Sequence, residues 1–262
     1  MLVDSHCHLD FPDFEGELDD VMARAKDAGI GHMMTICTRV TKFDGVLALA
    51  EAYDNVFCTV GIHPHNTEDE PETTAQELIG LSKHPKVVGL GETGLDFFYF
   101  NSPRDIQEKS FRAHITAARE TGLPLVIHNR DSDEDMIRVL RDEHARGPFP
   151  GVIHCFSSGP ELAENVMEIG LSISFSGIVT FKTADVLRDV ARQVPIERIL
   201  VETDSPYLAP VPKRGKRNEP AFTAFTAAEV AGLKGMDADA FAKATTDNYF
   251  RLFSKAASEV GT

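Results

Sequence analysis

Residues 2–10 read LVDSHCHLD. Two apolar residues, Leu2 and Val3, run into a pair of histidines two positions apart, His6 and His8. Side chains alternate along a strand, so residues i and i+2 share a face. If 2–8 is a strand, His6 and His8 project together from its C-terminal end. An isolated HxH is equally at home as a buried or a solvated pair. Its meaning depends on what the rest of the chain sends to the same place.

Seven more short apolar runs follow: HMMTICT (32–38), VFCTVGIH (56–63), VVGLGE (87–92), LVIH (125–128), GVIH (151–154), LSISFSG (171–177) and ILVETD (199–204). Several are almost continuously apolar until a polar residue closes them, as parallel strands buried on both faces read. Amphipathic stretches lie between them, among them 15–28, 104–121, 131–145 and 183–193. In 104–121, Phe111, Ile115 and Ala118 recur at helical spacing. Alternating β and α units predict a parallel sheet with right-handed crossovers. Eight of them predict closure into an α/β (β/α)8 TIM barrel. The 262 residues suit one such barrel, so 1–262 is expected to be a single domain.

The chain is 42% hydrophobic and 26% charged, with a net charge of −15. That composition suits a globular protein with a large core. The acidity argues against a protein that coats nucleic acid through a broad basic face, but not against one that grips a few phosphates locally. No run approaches the roughly 18 apolar residues of a membrane span. A cleaved leader would remove His6, so none is expected. Cys7, Cys37, Cys58 and Cys155 are scattered without a CxxC pair, which points to reduced thiols in the cytoplasm. Cys7 and Cys155, as strand neighbours of histidines, are expected to face the helix layer. No membrane attachment and no obligate protein partner is expected.

The other strand ends give HxH its meaning. Strand four closes at Glu92, strand five at His128, strand six at His154 and strand eight at Asp204. In a barrel all of these reach the C-terminal rim, where active sites sit. Imidazoles and carboxylates together suit Zn²⁺, Mn²⁺, Fe or Co, and carboxylates also hold Mg²⁺. Six such groups exceed the needs of one catalytic ion that keeps an open position. They suit two divalent ions about 3.5–4 Å apart sharing a carboxylate and a water.

Over nearly its full length the chain resembles the TatD family of metal-dependent deoxyribonucleases, within the amidohydrolase superfamily. The resemblance rests on DSHCHLD (4–10), VGIHPH (60–65), GLGETGLDF (89–97), VIHNRDS (126–132), IHCFS (153–157), ETDSPYL (202–208) and RNEP (217–220). It implies one ion, Mg, Mn or Zn, on His6, His8, Glu92 and Asp204. It implies a second on Glu92, His128 and His154, with Glu92 as the bridge. It also implies DNA as substrate, attacked at single-stranded ends by 3′–5′ exonuclease action. One departure is Arg130-Asp131-Ser132, where the family often shows Arg-x-Ala; it bears on specificity.

The expected reaction is attack on phosphorus by a water activated between the ions, with Asp204 accepting its proton. His63 and His65 either contact phosphate or protonate the leaving group; alternatively His63 only orients its loop. Arg130 either forks onto a phosphate oxygen or makes a rim salt bridge. Asp96 is a candidate to orient a histidine ligand, or else an exposed loop carboxylate. Glu202 shares parity with Asp204, and is otherwise a hydrogen-bonded core residue. Arg217 and Asn218 are expected to shape the substrate loop. Two rival readings use the same residues: hydrolysis of another ester or amide, such as an aminoacyl-tRNA ester or a cyclic amide, and a metal-binding module without catalysis.

Overall fold

The computed structural model describes residues 1–260. Eight parallel strands stand in sequential order: β1 (Leu2–Cys7), β2 (Ile30–Thr35), β3 (Val56–Val60), β4 (Val87–Asp96), β5 (Leu125–Arg130), β6 (Gly151–Ile153), β7 (Ser172–Phe175) and β8 (Ile199–Val201). The barrel closes just past the end of β8. There Cys7 bridges Ser205 in parallel, His8 N–H donates to the Ser205 carbonyl (2.8 Å), and Asp204 N–H donates to the His6 carbonyl (2.9 Å). The (β/α)8 barrel expected from the strand count is the fold observed.

Seven helices cross between consecutive strands: α1 (Leu18–Asp27), α2 (Phe43–Ala52), α3 (Ala75–Leu81), α4 (Arg104–Thr121), α5 (Asp133–Arg146), α6 (Pro160–Glu168) and α7 (Asp185–Gln193). The predicted stripe on α4 is real: Phe111, Ile115 and Ala118 are fully buried. Three more helices follow β8, namely α8 (Thr223–Lys234), α9 (Ala238–Leu252) and α10 (Ser254–Val260). The sequence reading assigned the last two no place. They close the bottom of the barrel. Tyr249, Phe253 and Ala256 pack with Val3, Met34, Phe57, Val88, Val126, Val152 and Leu200, forming an apolar cluster distinct from the barrel–helix layer. On β5, β6 and β8 alternation carries this inner face up to the site. Val126 shares parity with His128, Val152 with His154, and Leu200 with Glu202 and Asp204.

The ladder shifts register between Leu2 and Val3, between Cys58 and Thr59, and at two places beside the site. The β1–β2 register shifts between Asp4 and Cys7. β4 runs four residues past the predicted end at Glu92, and its register against β5 shifts between Gly91 and Thr93. Gly91 and Gly94 take φ of 137° and 139°. A Cβ on Gly94 would stand 2.1 Å from the His128 carbonyl oxygen. Only glycine allows β4 to lie this close to β5 in that conformation.

Candidate metal centre at the mouth of the barrel

Glu92 is the centre of the site. It lies on β4, is 2% exposed, and divides its carboxylate between two sets of imidazoles. Oε2 faces His6 Nε2 at 3.4 Å and His8 Nε2 at 3.9 Å. Oε1 faces His154 Nε2 at 2.7 Å, His128 Nδ1 at 2.9 Å and His63 Nε2 at 3.5 Å. Asp204 Oδ1 completes the first set, 3.4 Å from His8 Nε2 and 3.6 Å from His6 Nε2. The six residues predicted from strand ends therefore converge, and His63 joins them.

The imidazoles are held in defined orientations from behind. His128 pairs Nε2 with Asp96 Oδ2 (2.9 Å), which turns Nδ1 to Glu92. Asp96 also meets His65 Nε2 at 2.9 Å and accepts the Phe98 and Tyr99 N–H groups. It is fully buried at the end of β4, so it is not an exposed loop carboxylate. His154 pairs Nδ1 with Glu202 Oε1 (3.2 Å), which turns Nε2 to Glu92; the same oxygen accepts the Cys155 N–H. Each carboxylate thus fixes the tautomer of a histidine whose other nitrogen faces the centre. His63 Nδ1 accepts the His65 N–H (3.0 Å), so the neutral ring carries its proton on Nε2, aimed at the centre.

The charges couple strongly. Burial would raise Glu92, but His154, His63, His6 and His128 outweigh it and hold the carboxyl well below its usual range. Burial would likewise raise Asp204, yet His8, His6 and His154 hold it down. Burial opposes protonation of His154, but Glu92 and Glu202 push it well above the ordinary imidazole value. His63 is driven well below that value by burial and by its imidazole neighbours, against the pull of Glu92.

The donor set fits divalent metal. Ligands about 2.1 Å from a tetrahedral ion stand about 3.4 Å apart. His6 Nε2 and His8 Nε2 are 3.3 Å apart, and His128 Nδ1 and His154 Nε2 are 3.4 Å apart. Imidazole nitrogens that face each other at this distance share either a proton or a cation, and both pairs have the spacing of two ligands on one ion.

The remaining predicted residues divide. His63, His65, Asp96 and Arg130 line a cavity of about 680 Å³ above the centre. Arg217 does not reach it: its guanidinium pairs with Glu17 at 2.7 Å, donates to the Asp13 carbonyl and covers Phe14. Asn218 is buried and donates to the Thr203 and Tyr207 carbonyls, fixing the loop that carries Asp204. Ser132 donates to the Leu95 carbonyl and Asn129 Oδ1, tying β5 to β4. Cys7 lies in the barrel–helix layer as expected. Cys155 does not. β6 ends at Ile153, Cys155 takes φ 44°, and its side chain reaches the cavity beside Ser176. Alternation cannot be continued past the end of a strand. Sequence reasoning also missed Phe11, Tyr99 and Tyr207 on the cavity wall; the signal was the aromatic content of HLDFPDF (8–14), GLDFFYF (94–100) and DSPYL (204–208).

Comparison with known proteins gives this geometry its family. The TatD related DNase family matches residues 3–254. The uncharacterized metal-dependent hydrolase YcfH of Escherichia coli (strain K12) is 43% identical over 262 residues, covering 99% of this chain and 98% of that protein. The uncharacterized metal-dependent hydrolase YabD of Bacillus subtilis (strain 168) is 38% identical over 253 residues, covering 97% and 99%. The crystal structure of YJJV, a TatD homologue from Escherichia coli K12, superposes with a TM-score of 0.89 at 32% identity, covering 97% of this chain and 98% of that one. The chain, with its imidazoles and carboxylates gathered at the mouth of an eight-stranded barrel, belongs to the TatD related DNase family and is a metal-dependent hydrolase.

Proposed function

We propose that the protein is a two-metal deoxyribonuclease that trims single-stranded DNA from the 3′ end. The observation that carries this reading is the division of Glu92, one carboxylate oxygen toward His6 and His8 and the other toward His128 and His154. His6, His8, Glu92 and Asp204 hold one divalent ion in this reading. Glu92, His128 and His154 hold the other, with Mg²⁺, Mn²⁺ and Zn²⁺ all compatible with the donors. Bound ions supply a water that ionises near neutral pH and positive charge against the phosphate oxygens.

The chain's own groups do the rest. Asp204 stands at the open side of the centre, its side chain 14% exposed, and accepts the proton of the attacking water. His63, its Nε2–H aimed at the centre, donates to a phosphate or departing sugar oxygen that reaches it there. Arg130, at the end of β5, offers a guanidinium fork to the phosphate. Contacts this local suit an acidic chain that binds a strand end without wrapping a duplex. The family's description as DNases supports the substrate. Four free cysteines suit a cytoplasmic enzyme, and among the described residues no helix is long and apolar enough to cross a membrane.

The test is digestion of single- and double-stranded DNA by metal-stripped protein with Mg²⁺, Mn²⁺ or Zn²⁺ restored, beside His128→Ala. Cleavage that returns with metal and vanishes in the variant is expected. Protein shown to bind two ions but inert on DNA would overturn the reading in favour of another ester or an amide.

A further inference from the structure

The mouth of the barrel carries aromatic side chains that the metal centre does not use. Phe11 follows β1 and Tyr207 follows β8, strands that are neighbours where the barrel closes. Tyr99 follows β4 and Arg130 ends β5, half-way round the barrel. All four line the cavity above Glu92, so it has a rim on each side.

Both rims are built of packed planar groups. Phe11 stacks on His8, ring centres 4.5 Å apart and planes 20° from parallel, and meets Tyr207 edge-on at 6.1 Å. Opposite, the Arg130 guanidinium lies 3.9 Å over Phe98 and 4.9 Å from Tyr99. Tyr207, Phe98 and Tyr99 are 54%, 48% and 47% exposed. A set of half-exposed rings around a cavity marks a binding site more often than a folding need. Rings and guanidinium planes are what unpaired bases stack on, without regard to sequence. In a duplex those base faces are already covered.

We propose that these two rims stack the bases on either side of the scissile phosphate, so that the protein selects single strands by their exposed base faces. The proposal rests on the nuclease reading and adds the residues that choose the substrate. Tyr207 and Tyr99 are binding residues in it. The Phe98–Arg130 stack holds the guanidinium level with the second base.

The test compares metal-loaded protein on two short single-stranded oligonucleotides. One carries normal bases at its 3′ end; the other carries tetrahydrofuran abasic units at the terminal two positions. The native protein is expected to prefer the normal substrate by about tenfold in kcat/KM. Tyr207→Ala and Tyr99→Ala each reduce that preference several-fold, whereas Tyr207→Phe, which keeps the ring, retains it. Equal cleavage of both oligonucleotides by the native protein overturns the stacking rims and leaves the nuclease reading standing. A preference that survives both alanine variants does the same. Failure to cleave either oligonucleotide overturns the nuclease reading itself, and the rims with it.

Discussion

The imidazole of His154 lies flat against that of His6, ring centres 3.8 Å apart and planes 8° from parallel. One residue comes from the end of β6 and the other from β1, and each belongs to a different half of the proposed ligand set. The contact packs the two halves together as one unit. His128 has no such contact with the first half; it faces Glu92, His154 and Asp96.

This asymmetry separates two substitutions. His128→Ala should leave close to one bound ion per chain, because His6, His8, Glu92 and Asp204 are undisturbed. His154→Ala removes a donor from one half and the packing surface of the other, so both affinities should fall. Elemental analysis after dialysis against a weak chelator reads the stoichiometry. Equal losses in the two variants would show that the stacked pair does not couple the halves.

Asp204→Asn keeps the size of the side chain and its oxygen toward His8 but cannot accept a proton at that oxygen. Turnover is expected to drop on the order of 10²- to 10⁴-fold while much of the metal stays bound. Single-turnover kinetics alongside metal content distinguishes this from simple loss of the ions. Full activity in the variant would reassign the base.

Glu202 touches no reacting group, but its Oε1 fixes His154 Nδ1 and the Cys155 N–H. Glu202→Gln should weaken metal binding by about 10- to 100-fold with little change in fold. Competition with a fluorescent chelator measures it. An unchanged affinity would mean that packing alone orients His154.

Gly94→Ala tests the close approach of β4 to β5. The new methyl would collide with the His128 carbonyl, in a backbone conformation hostile to side chains. A loss of roughly 3 kcal/mol or more is expected, together with weakened metal binding because Glu92 and His128 share this seam. Denaturant unfolding gives the first quantity, and a midpoint equal to that of the native protein contradicts the collision.

His114 governs part of the acid response. It is fully buried on α4, accepts the Ile62 N–H on Nε2 (3.2 Å) and bonds the Ser110 carbonyl through Nδ1 (2.8 Å). Burial pushes it down to about 4 from 6.5, only partly offset by the bond to Ser110. As pH falls below 6.5 the unfolded chain takes up a proton that the folded state refuses until about pH 4. Stability is therefore untouched above this window and lost within it, by roughly 3 kcal/mol at its lower end. His114→Gln should show a shallower decline between those pH values in urea midpoints. Parallel declines would remove His114 from the account.

Most of the barrel was legible because its cause is local. A parallel strand buried on both faces must be apolar until it emerges, so Glu92, His128 and His154 announced themselves as the residues that end such runs. His6 and His8 were legible from their spacing only once the other strand ends supplied partners. What could not be read were the features that arise where regular structure stops. Cys155 enters the cavity because β6 ends two residues earlier and the chain turns through a positive φ. Arg217, expected to shape the substrate loop, is taken by Glu17 some two hundred positions away. The floor made by Tyr249 and Phe253 packs the last helices against residues of seven of the eight strands, a relation no local pattern encodes.

The sequence by itself determined the number and order of strands, the apolar stripes of the helices, and which residues reach the rim, since hydrophobic period and side-chain alternation act over a few residues. Only the tertiary structure decided which oxygen of Glu92 faces which imidazole, which nitrogen of His128 and His154 turns inward, and which aromatic faces flank the cavity. Those choices are made by hydrogen bonds and packing between segments far apart in the chain. They exist only once the barrel has brought the side chains of its strand ends within hydrogen-bonding reach of one another.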